Sequence, residues 1–521
     1  MSAAAGTPAM TGRAGNRAML TVSVMLATIM QALDTTIANV ALPEMQGAMG
    51  ATQEQIAWVL TSYIVAAAIV MPLTGFVAAR VGRRRLFLWS VVGFTVASML
   101  CGAAQDLGQM VAFRLLQGIF GASLVPLSQS VLLDAYPTEK HGQAMAIWGV
   151  GVMIGPILGP SLGGWLTEYY DWRWVFYINL PFGLLAWFGV SLSVRETPIE
   201  HDRRFDLLGY ALLALSIGAL QMMLDRGESL DWFRHNEIIV LSAVAALAFY
   251  LYLAHTFTAE RPFLDPALFA DRNFSIGLLF SFVTGVLLLT TPALLPPFMQ
   301  NLLGYPVLDV GLVMAPRGIG TMVSMMIVGR LSGRIDPRIP VLLGLALSAQ
   351  SLWEMSGFTP DVGSWDIVRT GLIQGFGLGF IFVPLSTLSF STLPARLRNE
   401  GTAMYSLSRN IGSSIGVSMV FAMLSRNSQA NHEGLASFAS PFHPPLADAV
   451  ARGLVDTSTP AGLARFDALV TEQAVFISFL QDFRLIMWFT LAVMPLVLLL
   501  RPVRTRSAAA APSVARPTGR R

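Results

Sequence analysis

One carboxylate lies well inside the first long apolar segment of the chain, at Asp34. A charged side chain near the centre of a membrane-spanning helix costs roughly 2.5–3.5 kcal/mol on insertion scales, so its presence needs a reason. Gln31, Thr35 and Asn39 accompany it and form a polar stripe at helical spacing. Because burial disfavours the charged form of a carboxyl group, Asp34 could bind and release a proton. We predict a proton-coupling residue beside a polar cavity wall; a structural ion pair or a helix cap is the alternative.

A cation occupies the fourth apolar segment, where Arg114 precedes the pair Gln117 and Gly118. A permanent positive charge can keep a nearby acid ionised until a proton or a substrate competes for it. Arg114 is therefore the second predicted coupling residue. The alternatives are an arginine that extends to the membrane interface and a structural ion pair.

Three polar residues in later segments are predicted to line the same cavity, namely Arg317, Gln374 and Arg409. Gln374 lies in a glycine-rich stretch, 371–379, so a role in helix packing is its alternative. Arginines outnumber acids among these deep charges. The sequence therefore favours neutral or anionic lipophilic ligands, such as weak-acid uncouplers, fatty acids or aromatic acids, over dications.

The elements that position these residues are apolar helices. Of 521 residues, 54% are hydrophobic and 12% are charged, and the mean hydropathy is +0.60. A soluble domain carries about twice that charged fraction. Continuous apolar runs of about 20 residues suit helices that cross a hydrocarbon core of roughly 30 Å, and their lack of alternation excludes a barrel. We predict an all-α membrane protein with fourteen spans. Their centres lie near Met30, Val65, Ser98, Phe120, Met153, Leu184, Leu213, Val244, Leu287, Val323, Leu347, Leu378, Gly416 and Ala492.

Arginine-rich connections alternate with arginine-poor ones, which by the positive-inside rule places both termini in the cytoplasm. The segments 1–17 and 504–521 are predicted to be a cytoplasmic leader and a disordered tail whose arginines contact anionic lipid rather than nucleic acid. The arginines that carry the topology are Arg80, Arg83, Arg84 and Arg85; Arg195, Arg203 and Arg204; Arg330, Arg334 and Arg338; Arg396 and Arg398; and Arg501, Arg504 and Arg506.

The chain contains an internal repeat at an offset of about 254 to 259 residues. The stretch 75–84 is echoed by 329–338, and 116–118 is echoed by 373–375. Such a parallel repeat predicts two six-helix halves with a substrate cavity near the membrane midplane. The predicted division is 18–197 for the first half, 198–258 for an inserted helix pair, and 259–503 for the second half with a long periplasmic loop at 426–481. That loop could be a lid, an adaptor-docking element or a plain connection.

The fifth span carries small residues at every fourth position, Gly151, Gly155, Gly159 and Gly163, with Pro156 among them. Small residues in one stripe let a neighbouring helix approach closely. A tight packing seam is one interpretation. The other adds that the glycine–proline steps bend the helix and shape how the halves close.

The stretch 151–164 resembles the antiporter motif of the major facilitator superfamily. The stretches 33–43 and 172–183 resemble signatures of its fourteen-span drug/proton antiporter branch, the EmrB/QacA type. The resemblance implies a major facilitator fold and export of lipophilic drugs by proton exchange across a bacterial inner membrane. It also implies, in Gram-negative cells, a periplasmic adaptor and an outer-membrane channel as partners.

One motif of that family is incomplete here. The loop after the second span keeps its glycines and basic residues, but Ala79 stands where the family usually has an acid. We therefore expect no acid-to-base latch of the usual kind, and we predict that the loop is a positive anchor. The retained residues are Gly75, Arg80, Gly82, Arg83 and Arg84.

Other chemistries lack their residues. Lys140 is the single lysine and follows no glycines, which excludes a P-loop and direct drive by ATP. Cys101 is the single cysteine, and no metal-binding pattern occurs. We predict no cofactor and no enzymatic activity. The alternatives are a dedicated exporter of one metabolite (a siderophore, fatty acid or aromatic acid), a membrane sensor, and an uptake symporter.

Overall fold

The computed structural model describes residues 14–200, 204–438, 444–452 and 455–500, and within them the chain forms helices and no strand. Most of the predicted leader and all of the predicted tail lie outside these residues, as do Arg203, Arg501, Arg504 and Arg506. The first helix begins at Ala14, before the predicted end of the leader at residue 17.

Fourteen long helical elements match the predicted spans in order. In the first half they are α1 (Ala14–Val40), α2 (Trp58–Val70 and Leu73–Val81), α3 (Arg83–Ala103), α4 (Leu107–Gly121 and Leu124–Ala135), α5 (His141–Tyr169) and α6 (Trp174–Tyr177 and Asn179–Ser193). The inserted pair is α7 (Leu207–Arg226) and α8 (Asn236–Thr258). The second half has α9 (Arg272–Pro297), α10 (Val307–Leu331), α11 (Arg338–Met355), α12 (Ser364–Ser391), α13 (Arg398–Ala436) and α14 (Pro460–Val493).

Short elements complete the chain. Helices of one or two turns span Leu42–Met49, Gln53–Ile56, Ala267–Ala270 and Pro444–Ala451. Turns of 3₁₀ helix span Thr138–Lys140, Trp232–Arg234, Ala395–Leu397 and Met494–Leu499. A π-helical turn at Phe298–Leu302 follows the three prolines near the end of α9.

Local sequence explains several helix ends. The Asp106 side chain accepts a hydrogen bond from the Gln109 backbone and caps α4. Thr459 caps α14 in the same way through Gly462. Pro72 lies between the two pieces of α2, where its missing N–H interrupts the helical ladder.

Twelve of the helical stretches in the described ranges are long and apolar enough to cross a membrane, and the two stretches of the inserted pair are among them. The two predicted spans outside this set are α11 and α13. Helix α11 has only 18 residues, and α13 contains Arg398, Glu400 and Arg409 among many serines and glycines. The count of fourteen spans stays a prediction.

Corresponding helices of the two halves pack alike. Helix α1 packs on α5 in the first half, and α9 packs on α13 in the second. The halves meet chiefly where α5 contacts α10, with further contacts from α4 and the second piece of α2 to α13. Halves that meet along whole helices can rock against each other as units.

The inserted pair touches both halves. In α7, the Gln221 amide donates to the Ser414 hydroxyl of α13 (2.8 Å), and Ser418 donates to the Leu224 carbonyl (2.7 Å). On its other side, Asp225 accepts a hydrogen bond from Thr61 of α2. Helix α7 is therefore an inter-half contact as well as a connection.

The secondary structure predicted for 426–481 needs correction, because most of this segment is helical and not loop. Helix α13 continues to Ala436 and α14 begins at Pro460. The two extensions are joined where the Asn431 amide donates to the Ser478 hydroxyl at 2.8 Å. The polar residues of this segment belong to helices that continue past the apolar stretches of α13 and α14. In the sequence, such a polar stretch resembles a loop.

Candidate functional site

Asp34 is completely buried and accepts hydrogen bonds from three side chains. Arg114 Nη1 lies 2.8 Å from Oδ2, while Gln117 Nε2 and Asn179 Nδ2 lie 2.7 and 2.8 Å from Oδ1. Two donors come from α4 and one from α6, so three helices meet at this carboxylate. The carboxylate is thus held by one charged donor and two amides, and hydrogen bonds to charged groups are the stronger ones.

Arg114 is fixed by contacts on every side. Its Nε donates to the Val59 carbonyl of α2 (3.0 Å), and Nη1 also donates to Gln117 Oε1 (2.7 Å). The Tyr63 ring lies 4.4 Å from the guanidinium carbon. Only 1% of Arg114 is exposed, which excludes the alternative of an arginine that extends to the interface.

Further polar contacts hold the donors in place. The Asn179 amide also donates to Ser98 Oγ of α3 (2.9 Å), and Ser98 donates to the Phe176 carbonyl (2.8 Å). Sequence analysis did not select Asn179, Ser98 or Tyr63 as site residues. Asn179 lies inside the family-like stretch 172–183, which was the available signal.

The predicted polar stripe and the acid face different directions. Gln31 donates to the Tyr63 hydroxyl (3.1 Å), Thr35 bonds to its own helix at the Ala32 carbonyl, and Asn39 is exposed. These three stand at four-residue intervals, about 60 to 140° around the helix from Asp34. They remain predicted cavity residues, and Asp34 itself points away from them into the cluster of α4 and α6.

The second half holds a related cluster without an acid. Arg317 Nε donates to Gln374 Oε1 (2.8 Å), and Arg317 Nη2 donates to the Leu288 carbonyl (3.1 Å). Gln374 Nε2 in turn donates to Thr291 Oγ1 (2.8 Å). Arg317 and Gln374 are both buried, and no carboxylate in the described ranges pairs with Arg317.

Arg409 lies between the halves. Its guanidinium carbon is 5.8 Å from the Trp148 ring of α5 and 5.9 Å from the Phe382 ring of α12, and these rings stack on each other. Arg409 is 7% exposed, and its Nη1 has no hydrogen-bond partner among the described residues. A buried N–H of a cation without a partner is a favourable position for an anionic group.

The basic loop after α2 does form an acid–base contact, which corrects the expectation drawn from Ala79. Arg83 pairs with Asp134 at the end of α4, and Arg398 of α13 pairs with the same carboxylate. Ser130 also donates to Asn399 across the halves. The acid comes from another helix, so the contact could not be found by reading the loop.

The other residues of this loop motif have separate roles. A Cβ atom at Gly75 would lie 2.4 Å from Cγ of Glu400, so glycine permits the close approach of α2 and α13. Gly82 has φ +99, a conformation that favours glycine. The Arg84 backbone N–H donates to Glu196 (3.1 Å), and Arg80 is exposed.

The glycine stripe of α5 packs on the helix that carries Asp34. Added Cβ atoms at Gly155 and Gly159 would lie 2.4 Å from Ala32 backbone and 2.1 Å from Thr36 Oγ1. The remaining members, Gly151 and Gly163, face Met25 and Ile37 of α1, while Pro156 is exposed. These contacts support the interpretation as a packing seam.

Two six-helix halves that meet along several helices, with a buried ionic cluster inside the first half, are the architecture of a membrane transporter. The model of the Major Facilitator Superfamily matches residues 24–417. The chain belongs to this family.

Similar proteins agree with this assignment. The chain is 39% identical to "Multidrug export protein EmrB" of Escherichia coli (strain K12), over 82% of this chain and 84% of that one. It is 35% identical to "Fatty acid resistance protein FarB" of Neisseria gonorrhoeae, over 93% and 96%. Its fold matches the crystal structure of the human organic anion transporter MFSD10, with a TM-score of 0.58, 14% identity, and 91% and 99% coverage.

Proposed function

We propose that this transporter exports lipophilic small molecules in exchange for protons. The observation that carries the proposal is the buried Asp34 carboxylate, held by Arg114, Gln117 and Asn179. The names of the similar export and resistance proteins support efflux as the direction of transport.

Protonation of Asp34 would change the contacts of three helices. While the carboxylate is ionised, its bond to Arg114 is charge-assisted, and such bonds are about twice as strong as neutral ones. A proton on Asp34 removes that gain and leaves the buried Arg114 charge without its counter-ion. The free energy of the arrangement then favours a different packing of α1, α4 and α6. Each proton that enters yields roughly 2.3 kcal/mol per 100 mV of membrane potential.

The contact of Asp134 with Arg83 and Arg398 supports a closed state on the arginine-rich side of the protein. With both termini in the cytoplasm of a bacterial cell, as the arginine pattern predicts, this side is cytoplasmic. We propose that the contact opens when substrate enters and re-forms when the halves rock outward.

We propose neutral or anionic lipophiles as the substrates. Arg409 offers an unpartnered N–H beside a stacked pair of aromatic rings, an arrangement that suits a carboxylate attached to an apolar body. The likeness to a protein named for fatty acid resistance supports this choice. A dedicated exporter of one such acid is the second candidate, and a panel of substrates distinguishes the two.

Adaptor docking is a further part of the proposal. The extensions of α13 and α14 project together beyond the apolar zone, held by the bond between Asn431 and Ser478 and by the His432–Asp467 pair. A periplasmic adaptor leading to an outer-membrane channel could bind this projection. Deletion of residues 437–459 is expected to reduce cross-linking to the adaptor; unchanged cross-linking would remove docking from the proposal.

The direct test is efflux of a fluorescent lipophile from energised cells, with wild type, Asp34→Asn and the exposed-acid control Glu44→Gln. Efflux by wild type and control should stop when ionophores collapse the proton gradient, and Asp34→Asn should show none. Gradient-dependent efflux at the wild-type rate by Asp34→Asn would exclude Asp34 from coupling.

A further inference from the structure

Besides Asp34 and Glu400, a third acid is buried among the described residues, at Asp482 of α14. Its side chain has no exposed surface, and neither carboxylate oxygen has a hydrogen-bond partner among the described residues. Phe479 and Phe483, on the same helix, pack with Phe298 in the apolar core of the second half. This environment is the opposite of that of Asp34, whose carboxylate accepts three hydrogen bonds.

No charged partner balances Asp482. Helix α14 packs against α9, α11 and α13, and the charged groups on these helices are exposed or bonded elsewhere. Arg426, Glu433 and, on α14 itself, Arg465, Glu472 and Arg484 are exposed. Arg272 and Arg338 donate to the Leu499 and Leu500 carbonyls, and Glu354 pairs with Arg369. His432 pairs with Asp467, and Arg398 pairs with Asp134. Arg409 lies over Trp148, and Glu400 lies against Gly75 of α2.

An ionised carboxylate without partners in an apolar core is too costly to persist, so the group takes up a proton. Asp34 and Asp482 therefore have opposite surroundings, with three hydrogen-bond donors around the first carboxylate and apolar side chains around the second.

A short series of polar groups lies between Asp482 and the surface, although none of them bonds to the Asp482 carboxylate, and the Ser478 hydroxyl donates to the Ala474 carbonyl of its own helix (2.7 Å). Ser478 stands one helical turn before it and is completely buried. The Ser478 hydroxyl accepts a hydrogen bond from Asn431 (2.8 Å), and Asn431 also donates to the exposed Gln481 (3.2 Å). This series leads away from Leu500, which the cytoplasmic-side Arg338 contacts at 2.8 Å, and toward the side proposed to be periplasmic.

We propose that Asp482 is a second proton-binding site, reached by water from the periplasmic side past Asn431 and Ser478. The proton comes from bulk water and binds a carboxylate oxygen, so no other reactant is needed. The role of this site in transport rests on the proposed proton exchange, but its occupancy by a proton does not.

Infrared spectroscopy of the full chain in lipid nanodiscs tests the occupancy. At neutral pH, wild type should show the absorption of a protonated buried carboxyl group, with the small shift expected in heavy water. The absorption should vanish in Asp482→Asn and persist in Asp34→Asn and in the exposed-acid control Glu472→Gln. If Asp482→Asn keeps the absorption, or wild type lacks it, the proposal is overturned; Asp482→Ser serves the same purpose if the asparagine variant does not fold.

The route is tested by the rate at which that absorption shifts after transfer to heavy water. Asn431→Leu should slow the shift severalfold relative to Gln429→Leu, an exposed neighbour on the same helix. An unchanged rate would overturn the route through Asn431.

A transport measurement then separates this proposal from the proposed function. In vesicles, Asp482→Asn should lower the number of protons exchanged per substrate by one. If wild type shows no proton-driven efflux at all, the proposed function fails, whereas the infrared result on Asp482 still stands.

Discussion

Each half of this transporter has a glutamine at the corresponding position of its fourth helix, but the charged groups around the two glutamines differ. Gln117 donates to Asp34 at 2.7 Å in the first half, and Gln374 donates to Thr291 at 2.8 Å in the second. Each residue of the second pair stands 257 positions after its counterpart. The amide contact between the first and fourth helices of each half is therefore shared, whereas the carboxylate is confined to one of them.

The cation differs in a related way. Arg114 belongs to α4, and the position 257 residues later is Gly371, which has no side chain. Arg317, which follows Tyr63 by 254 positions, comes from α10 instead and bonds to Gln374. A Cβ atom at Gly371 would lie 3.5 Å from Arg317 Cβ, an ordinary contact distance, so the two positions are neighbours in the structure.

This difference shows that the two halves of a duplicated fold can have different electrostatic roles. The first half pairs an acid with a cation, so a proton can change its charge balance. The second cluster has a cation and neutral partners only, and its charge stays constant across ordinary pH. Four predictions test this difference between the two halves.

The largest expected effect is on the first cluster. Arg114→Leu leaves the buried Asp34 charge unpaired, and breaking a buried pair in this way costs about 3–5 kcal/mol of stability. The double variant Asp34→Asn/Arg114→Leu should recover much of that loss without recovering efflux. Thermal unfolding in detergent measures the stability; equal melting temperatures for single and double variants would contradict the coupling of the two residues.

A smaller effect is expected at Arg409. Arg409→Gln removes the unpartnered cationic N–H, and a hydrogen bond to a charged group contributes about 1.5–3 kcal/mol. Efflux of carboxylate lipophiles should fall by about tenfold or more, since 1.4 kcal/mol corresponds to tenfold. Neutral lipophiles should be exported almost as before. Equal losses for both classes would mean that Arg409 supports the fold and does not select the substrate.

The glycine contacts of the two halves should respond differently. Gly155→Ala forces a Cβ atom to 2.4 Å from the backbone of Ala32, and overpacking of this kind costs about 1–3 kcal/mol. Gly371→Ala meets only an ordinary contact at 3.5 Å, so its stability should change little. Melting temperatures and efflux rates of the two variants test this; equal losses would contradict the tight seam between α1 and α5.

The smallest effect is expected when an acid is added to the second half. Thr291→Asp places a carboxylate beside Gln374, close to Arg317, and a new buried ion pair roughly offsets its own desolvation. Stability should change by less than about 1 kcal/mol relative to wild type, with the isosteric Thr291→Val as the control. Loss of folded protein would show that the second cluster cannot accept an acid and that the surroundings of Gln117 and Gln374 are not equivalent.

Much of the fold and part of the site could be predicted from the sequence. Asp34 and Arg114 were identifiable because a charge within an apolar segment is a local signal. The repeat and the helix order followed from patterns that are also local. Asn179, Ser98 and Tyr63 escaped selection, because an asparagine or serine in a span costs little and carries no signal until its neighbours are known.

The wrong predictions share one physical cause. The absence of an acid at Ala79 suggested that the loop forms no latch, but Asp134 supplies the carboxylate from the end of α4. The polar run at 426–481 suggested a loop, but its helices continue and pack on each other. In both cases the deciding contact joins residues far apart in the chain.

From the sequence alone, the chain is an all-helical membrane protein built from two repeated halves, with a carboxylate inside its first span. These conclusions follow from composition, from the length of apolar runs and from periodicity, which are properties of short segments. The tertiary structure was needed to show that Arg114 meets Asp34, and that, among the described residues, Arg409 Nη1 and the Asp482 carboxylate have no hydrogen-bond partner. Those facts depend on how helices are rotated and shifted against one another, and a rotation of α1 by about 100° exchanges one residue for the next at every contact.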